Sequence, residues 1–342
     1  MPDGNLTFLI REKALELGYE SCGIIKVGAM AGLAARLEEN AKLFPELKPF
    51  YTKVLAPYAE PQKAHPWAKS VVVCVNRYGK YKLPENIANI GKTFFFDDRI
   101  GEKAKIRDLF NDYLISLGLK TFANIHPGTT AYRWAAAACG LGIIRKNNFF
   151  YTQNGSWVTM SAWLIDEELE LITTPQLKPC PENCTKCRDA CQTKALQEPY
   201  AMNIHKCVCY LRTMATEEEA AAWRDKTGSW LYGCDDCQNA CPMNKDTWSE
   251  EEEFPGLAEI IPHMSLEQIF EADDATLEQI VMPKFFYIPQ ENLWKWKANA
   301  LIAMANNFEP KYEKYLRTAR NSPNEKIQET ATWACQQAGL EQ

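Results

Sequence analysis

The first half of the chain alternates between apolar residues at helical spacing and short β-branched runs. The stretch "LTFLIREKALELG" (6–18) is amphipathic and ends on a glycine, so it predicts a helix. The run "SVVVCVNRY" (70–78) is apolar and rich in valine, which predicts a strand. A second helix is predicted over "GEKAKIRDLFNDYLISLG" (101–118), again closing on a glycine.

The pattern continues to about residue 172. "TTAYRWAAAACGLG" (129–142) has an alanine run that favours a helix, ended by its two glycines. "NFFYTQNGSWVTMSAWLI" (148–165) predicts two strands around a turn at Asn154-Gly155, and "TFFFDDRI" (93–100) is a further strand candidate. Together these elements predict an α+β domain over residues 1–172.

The second half of the chain divides into two parts. Residues 173–250 contain most of the cysteines and little regular apolar periodicity, so they need a metal centre in order to fold. From 251 to 342 the pattern is helical, and three helices separated by proline-containing breaks over 292–340 resemble a HEAT-type repeat. A generic helical cap would give a similar pattern.

Composition and charge limit the class of protein. The chain has 342 residues and a net charge of -6, which disfavours a polyanion-binding surface made by the whole molecule. The first residues do not have the pattern of a secretion signal, and nowhere is there an apolar run of about 18 residues. We therefore expect a cytoplasmic protein without a membrane segment. In a reducing compartment, clustered cysteines are more suited to holding metal than to forming disulfides.

The clustered thiols form two sets with ligand spacing. The first set is Cys180, Cys184, Cys187 and Cys191; the second is Cys207 or Cys209 with Cys234, Cys237 and Cys241. A cubane iron-sulfur cluster takes three thiolates from a tight run and one from elsewhere, and in two-cluster ferredoxins the fourth cysteine of each run serves the other cluster. The spacing thus predicts one cluster on Cys180, Cys184, Cys187 and Cys241, and another on Cys191, Cys234, Cys237 and either Cys207 or Cys209. Structural zinc and disulfides are alternatives that this doubled spacing disfavours.

The other cysteines and the histidines carry weaker signals. Four isolated cysteines are predicted to be buried small apolar residues: Cys22, Cys74, Cys139 and Cys335. Three histidines lack a partner pattern: His65, His205 and His263. His126 precedes Pro127-Gly128 at a strand-to-helix corner, where a side chain can be presented to a cleft.

Several motifs together resemble the epoxyqueuosine reductase family, whose members are cobalamin-dependent iron-sulfur enzymes related to reductive dehalogenases. The motifs are "ELGYESCGI" (16–24), "AKSVVVCVNRY" (68–78), "RWAAAACGLGIIRKNNFF" (133–150), "GSW" (155–157), "CVCYLRT" (207–213) and "YGCDDCQNACPMNK" (232–245). The resemblance covers nearly the whole chain, and it favours Cys207 over Cys209 as the ligand.

The resemblance also implies a fold and a reaction. It implies a nitroreductase-like cobalamin-binding domain, a ferredoxin-like domain with two [4Fe-4S] clusters and a C-terminal HEAT-like helical domain. Electrons from a ferredoxin or flavodoxin would pass through the clusters to cobalt, which reduces an epoxide on a modified tRNA base. The expected state is a monomer.

We expect the cobalamin site where small residues allow the backbone to come close to the cofactor. The candidates are Gly140, Gly142, Gly155 and Ser156, with Trp157 as a wall and Arg145 and Lys146 as polar contacts. The alternative is that the glycines only cap a helix and close a hairpin.

The chain departs from the family at the position of its catalytic acid. Where the family has Asp-Thr-Gly-Pro, this chain has His126-Pro127-Gly128-Thr129, and Tyr132 replaces the acidic residue before Arg133. "TFFFDDRI" also departs from the family's element there. An opened epoxide leaves an alkoxide that needs a proton, so we expect His126, or Tyr132 assisted by Arg133, to supply it.

Three functions remain open from the sequence. The first is a cobalamin-dependent reductase of a tRNA base, supported by locally basic residues that could contact phosphates: Lys295, Lys297, Lys311, Lys314, Arg317 and Arg320. The second is a related reductase of a small molecule such as an organohalide, supported by the replaced acids and the acidic net charge. The third is an electron-transfer or corrinoid-binding protein without a reaction of its own.

Overall fold

The computed structural model of the chain describes residues 3–96, 104–124 and 129–340. The helices of the first half are α1 Asp3–Glu16, α2 Ala31–Leu43, α3 Ala56–Ala59, α4 Ala104–Ser116 and α5 Thr129–Ala138. The strands are β1 Ser21–Lys26, β2 Ser70–Arg77, β3 Asn89–Ile90, β4 Thr121–Asn124, β5 Ile143–Ile144, β6 Phe150–Tyr151 and β7 Val158–Ile165. The second half contains α6 Lys186–Ala190, α7 Val208–Thr213, α8 Glu217–Ala221, β8 Trp230–Tyr232, α9 Asp236–Asn239, α10 Leu266–Glu271, α11 Asp274–Thr276, α12 Trp294–Asn306, α13 Glu313–Ala319 and α14 Glu325–Gln337.

Strand β2 is at the centre of the first half. The main sheet has the order β1-β2-β7-β4, and every neighbouring pair in it is antiparallel. Because side chains alternate along a strand, β2 contributes to two cores. Val72 packs with Ile10 of α1 and Phe110 of α4, whereas Val73 packs with Leu33 of α2 on the other face. Burial on both faces explains the uninterrupted valine run, and the prediction of a mixed α and β fold is confirmed.

The predicted helix ends have the expected backbone geometry. Helix α1 is followed by Gly18 at φ 93°, and α4 by Gly118 at φ 86°. Such positive φ values cost a residue with a Cβ roughly 1–2 kcal/mol, so glycine is the residue that ends these helices without strain.

The described part of the predicted strand "TFFFDDRI", residues 93–96, is not a strand. Lys92–Phe94 make a turn of 3₁₀ helix, and residues 97–100 lie outside the described part of the chain. Phe94, Phe95 and Phe96 are all buried. A strand would send alternate rings to opposite faces, whereas this tighter turn lets three consecutive rings enter one core.

The predicted hairpin after residue 148 is divided between two sheets. Its turn exists, since Thr152 and Gly155 exchange backbone hydrogen bonds of 3.0 and 3.2 Å. Strand β6, however, pairs with β5, and only β7 joins the main sheet. The two-residue length of β6 leaves little ladder to pair with β7.

The aromatic segment at 78–96 shares a core with the C-terminal helices. Phe95 contacts Phe285 with ring centroids 5.5 Å apart, and Tyr232 stacks on Trp296 at 5.1 Å. Strand β3 also pairs in parallel with β8. The core therefore crosses the predicted boundaries, and the division into 1–172, 173–250 and 251–342 stays a prediction. Within residues 3–96, 104–124 and 129–340, none of the helices has the length and apolarity to cross a membrane.

Candidate iron-sulfur centre and adjoining pocket

Four thiols from two separate runs meet beside helix α6. Burial raises the pKa of Cys187, and the neighbouring thiols of Cys241, Cys180 and Cys184 raise that pKa further. Cys187 lies in α6, and Cys241 lies two residues after the end of α9. The structure thus brings the first predicted set together. We call Cys180, Cys184, Cys187 and Cys241 the first quartet.

A second group of thiols surrounds α9 and the start of α7. Burial raises the pKa of Cys237, and Cys207, Asp235 and Cys191 raise it further, with a last contribution from Cys187 of the first quartet. The pKa of Cys234 is raised by burial and then by charges that include those of Cys207 and Cys237. We call Cys191, Cys207, Cys234 and Cys237 the second quartet. Its members are those predicted from the sequence.

Cys209 occupies a different side of α7 from Cys207. Cys207 is the residue before the helix, and its pKa is raised by burial and by Cys191. Cys209 packs against the aromatic core shared with the C-terminal helices. Cys207 raises the pKa of both Cys234 and Cys237. The geometry therefore groups Cys207 with the quartet, as the resemblance favoured.

The number of thiols fits two clusters. The eight cysteines of the two quartets are all free thiols. A single structural zinc ion would use only four of them. This donor set has the chemistry and the number of ligands for two [4Fe-4S] clusters.

Hydrogen-bond donors approach the sulfur atoms of both quartets. The backbone N–H of Asp236 donates to Cys234 Sγ over 3.5 Å, and the guanidinium of Arg145 donates to Cys180 Sγ over 3.8 Å. Donors of this kind favour the thiolate form that binds iron. Their positions support the same assignment.

The structure places Arg145 and Lys146 at the first quartet. Lys146 Nζ donates to the carbonyl oxygens of Pro181, Glu182 and Cys184 at 2.8, 2.5 and 3.2 Å. Both side chains are therefore engaged by the cluster-binding loop. Their predicted role as contacts to cobalamin has no support from these bonds, and sequence reasoning missed their position because only the fold brings residues 145 and 180 together.

The three predicted glycines lie against protein atoms. A Cβ on Gly140 would lie 1.8 Å from the carbonyl oxygen of Thr173, and one on Gly142 would lie 2.2 Å from that of Tyr151. At Gly155 the nearest atom, the hydroxyl oxygen of Thr247, is 2.6 Å away. These contacts match the alternative in which the glycines serve the fold.

Ser156 and Trp157 connect the sheet to the cluster-binding segment. Ser156 Oγ donates to Gln238 Oε1 over 2.8 Å, and its N–H donates to Asn244 Oδ1 over 2.8 Å. Trp157 is buried and borders an open pocket of 670 Å³ together with Lys92 and Trp248. Trp157 therefore forms a wall of a pocket. Asn244 of the cluster-binding segment lines the same pocket. The set of cobalamin contacts stays a prediction.

The two predicted catalytic residues that the structure describes, Tyr132 and Arg133, line different pockets. Arg133 lines a pocket of 1020 Å³, whereas Tyr132 lines a separate one of 310 Å³ beside Tyr58. Adjacent residues of a helix are about 100° apart, which explains the separation on α5. Burial lowers the pKa of Arg133 to about 10. The assistance of Tyr132 by Arg133 stays a prediction, and His126 lies outside the described residues.

The 1020 Å³ pocket borders the first quartet through Tyr200. Leu33 and Leu37 of α2 and Trp134 of α5 supply apolar walls. Tyr200 also lines this pocket, and its pKa is raised by burial and then by Cys180. No sequence motif marks Tyr200, so it was not among the predicted residues.

The structure shows the environment of the isolated cysteines and of His205. Cys22, Cys74, Cys139 and Cys335 are buried, as predicted. His205 stacks on Tyr210 with ring centroids 4.9 Å apart, and its Nδ1 lies 3.8 Å from Glu219. His205 therefore has partners that its sequence neighbourhood did not reveal.

The chain was compared with known proteins. Residues 180–244 match the family described as 4Fe-4S double cluster binding domain. The epoxyqueuosine reductase of Cyclobacterium marinum is 30% identical over 278 residues, which cover 77% of this chain and 85% of the relative. That of Cellulophaga algicola is 27% identical, covering 81% of this chain and 90% of the relative.

Solved structures agree with the fold. The epoxyqueuosine reductase of Streptococcus thermophilus superposes with a TM-score of 0.76 at 22% identity, over 99% of this chain and 91% of the other. An epoxyqueuosine reductase crystallised with an epoxyqueuosine-modified tRNA stem loop superposes with a TM-score of 0.73, over 98% and 91%. With a relative at 30% identity over most of both chains and the same fold throughout, this chain belongs to the epoxyqueuosine reductase family.

Proposed function

We propose that the chain is a cobalamin-dependent oxidoreductase that reduces the epoxide of epoxyqueuosine in tRNA. The observation that carries the proposal is the grouping of eight thiols into two crossed quartets, the first of which adjoins a pocket of 1020 Å³. Two clusters in sequence can deliver electrons one at a time to a reaction centre. A pocket next to one of them is where such a centre would have to bind.

The residues of this pocket combine apolar walls with a few polar groups. Ligand pockets of about 300–1000 Å³ enclose drug-sized molecules, and the part of this open pocket that can hold water, 410 Å³, lies within that range. Its walls come from α2 and α5, with Arg36 and Arg133 at polar positions that could meet amide or phosphate groups. Cobalamin bound here would supply a cobalt centre that accepts electrons and passes them to the substrate.

Proton delivery falls to residues of the α5 region. Opening an epoxide with electrons leaves an alkoxide, which takes a proton from a nearby acid. Tyr132 faces the smaller pocket, so His126 is the better candidate of the two. The imidazolium of a histidine has a pKa near 6.5 and can act as such an acid around neutral pH.

Several C-terminal basic residues are already paired within the protein. This favours a second candidate substrate, a small molecule such as an organohalide. Lys311 pairs with Glu267 and Glu309 at 3.3 and 3.4 Å, and Arg317 pairs with Glu313 at 2.7 Å. Lys295 Nζ donates to backbone carbonyl oxygens. Basic side chains that already form ion pairs or hydrogen bonds within the protein are less available to bind phosphate groups.

We also propose the finer organisation that accompanies this function. The chain would consist of a nitroreductase-like domain, a ferredoxin-like domain and a HEAT-like helical domain. A ferredoxin or flavodoxin would supply the electrons, and the protein would act as a monomer in the cytoplasm, where tRNA is modified.

The test uses anaerobically purified full-length protein. We expect about eight irons and eight sulfides per chain, and cobalt after incubation with cobalamin. With a chemical reductant, an epoxyqueuosine-bearing tRNA stem loop should be converted to the queuosine form, as followed by mass spectrometry. Conversion of an aryl halide but not of the stem loop would favour the second candidate. Eight irons without conversion of either would leave an electron carrier and contradict the proposal. A Cys335→Ala variant is the control, because this buried thiol lies outside both quartets.

A further inference from the structure

A tight turn directs Arg145 and Lys146 toward the first quartet. The N–H of Asn148 donates to the carbonyl oxygen of Arg145 over 2.8 Å, and Asn148 has a φ of 66°. The N–H of Arg145 donates to the carbonyl oxygen of Phe149 over 3.0 Å. Both ends of the turn are therefore fixed by backbone bonds. The two basic side chains have little freedom to leave the cluster-binding loop.

Arg145 carries a buried positive charge without an acidic partner. Its side chain is only 3% exposed. Among the described residues it forms no ion pair with an Asp or Glu, and its Nε lacks a hydrogen-bond partner. A buried charge that is not compensated destabilises the folded protein. Some negative group must therefore balance this guanidinium.

The sulfur atoms of the first quartet are the negative groups within reach. Arg145 Nη1 contacts Cys180 Sγ at 3.8 Å. Its guanidinium also lies over the ring of Tyr151, 5.1 Å from the centroid, and burial followed by a hydrogen bond with Cys241 raises the pKa of Tyr151. Arg145 thus touches the surroundings of two of the four ligands.

Acidic side chains, in contrast, adjoin the second quartet. Asp236 acts on Cys234, and Asp235 acts on Cys237. Lys92 lies 3.6 Å from Asp235 and offsets part of that acidic charge. No equivalent of Arg145 contacts a sulfur atom of the second quartet in the part of the chain that the structure describes. The two clusters would therefore occupy unlike electrostatic environments.

We propose that Arg145 is the counter-charge of the first cluster and raises its reduction potential above that of the second. A cluster with four thiolate ligands is negatively charged, and reduction adds one more negative charge. A fixed positive charge at a ligating sulfur stabilises the reduced form, and net charge and hydrogen bonds to sulfur are known determinants of the potential. Electrons that reach the second cluster then move downhill to the first, which borders the 1020 Å³ pocket.

The inference rests on the two-cluster part of the proposed function. Its test is a redox titration of the anaerobic protein, followed by electron paramagnetic resonance. In Arg145→Gln, the potential of one cluster should fall by at least about 59 mV, which corresponds to a tenfold change for one electron. Arg145→Lys should recover most of the loss because it keeps the charge. Arg317→Gln on α13, an exposed arginine far from the sulfurs, is the matched control and should change nothing.

Two outcomes would overturn the proposal. One is an Arg145→Gln protein with eight irons and both potentials unchanged; the other is an equal fall of both potentials. Single-cluster proteins provide a test that leaves Arg145 intact. Cys234→Ala should retain the first cluster, and Cys184→Ala the second. The potential of the retained first cluster must be the higher of the two. Four or fewer irons in the unmodified protein would instead refute the cluster assignment, so the two failures are distinguishable.

Discussion

Cys187 and Cys241 belong to different thiol runs, yet the thiol of Cys241 adds to the effect of burial in raising the pKa of Cys187. The mirror relationship joins Cys191 to Cys237 in the second quartet. Cys191 follows Cys187 by four residues and lies just after α6, and Cys241 follows Cys237 by four and lies two residues beyond α9. One helical turn advances the chain by about 5.4 Å. Each short helix therefore takes its last cysteine away from its own run and toward the other cluster.

Crossed ligation makes a prediction about paired substitutions. Cys180→Ala with Cys241→Ala removes two ligands of the same quartet, so about four irons should remain. Cys180→Ala with Cys191→Ala removes one ligand from each quartet and should leave few irons. If the runs bound one cluster each, the second pair would spare a cluster and the first pair would not. Iron and sulfide analysis with Mössbauer spectroscopy distinguishes the two arrangements.

The ligands could be predicted because thiol spacing is a local property of the sequence. Three cysteines within eight positions must share a loop or a short helix, whatever the rest of the chain does. The roles of Arg145 and Tyr200 could not be predicted in this way, because contacts to Cys180 depend on how the sheet and the cluster loop pack. The prediction of a strand at 93–96 was wrong for a related reason. Buried aromatic rings give the same apolar pattern in a strand and in a 3₁₀ turn.

Gly140 offers a test of whether the predicted cofactor glycines serve the fold. Gly140→Ala combines a φ of 74° with a Cβ 1.8 Å from the carbonyl oxygen of Thr173, so the backbone must move. Gly18→Ala is the matched control, because its φ is 93° but no atom lies within 4 Å of the new Cβ. We expect Gly18→Ala to lower the free energy of unfolding by about 1–2 kcal/mol. Gly140→Ala should lower it by more than that.

Thermal unfolding of the anaerobic proteins gives the comparison. Equal losses of stability in the two variants would contradict the close approach at Gly140. A Gly140→Ala protein of normal stability that fails to bind cobalamin would restore the cofactor role predicted from the sequence.

Glu219 predicts a pH dependence for helix α8, which lies between Cys207 and Cys234 of the second quartet. Thr216 N–H donates to Glu219 Oε2 over 2.8 Å, and this bond is the main cause that lowers the pKa of Glu219, with Tyr210 and His205 contributing. A lowered pKa means that the stabilisation is present above the ordinary carboxyl value of about 4.3 and is lost as the pH falls through the lowered value. The effect should stay below about 1 kcal/mol, because the carboxylate is partly exposed.

Hydrogen exchange of the α8 amides, corrected for intrinsic rates, can detect this loss. Protection should decline below about pH 4 in the unmodified protein. In Glu219→Gln, which keeps an acceptor oxygen but cannot titrate, protection should be lower at neutral pH and nearly independent of pH. The same decline in both proteins would show that another group titrates.

The source of the proton in the reaction is the sharpest question that the chain poses, because two positions differ from the family's acids. Tyr132 lines the 310 Å³ pocket and not the larger one, so we expect Tyr132→Phe to retain turnover within a few-fold. His126→Ala should lower turnover by about 10²–10⁴, the usual contribution of a general acid. Because the acid must be protonated, the rate of the unmodified enzyme should fall as the pH rises through about 6.5. A rate that stays constant to about pH 10, together with an inactive Tyr132→Phe, would assign the proton to the tyrosine instead. Cobalt and iron contents equal to those of the unmodified protein are required in both variants, since only then does a lost rate report on the proton.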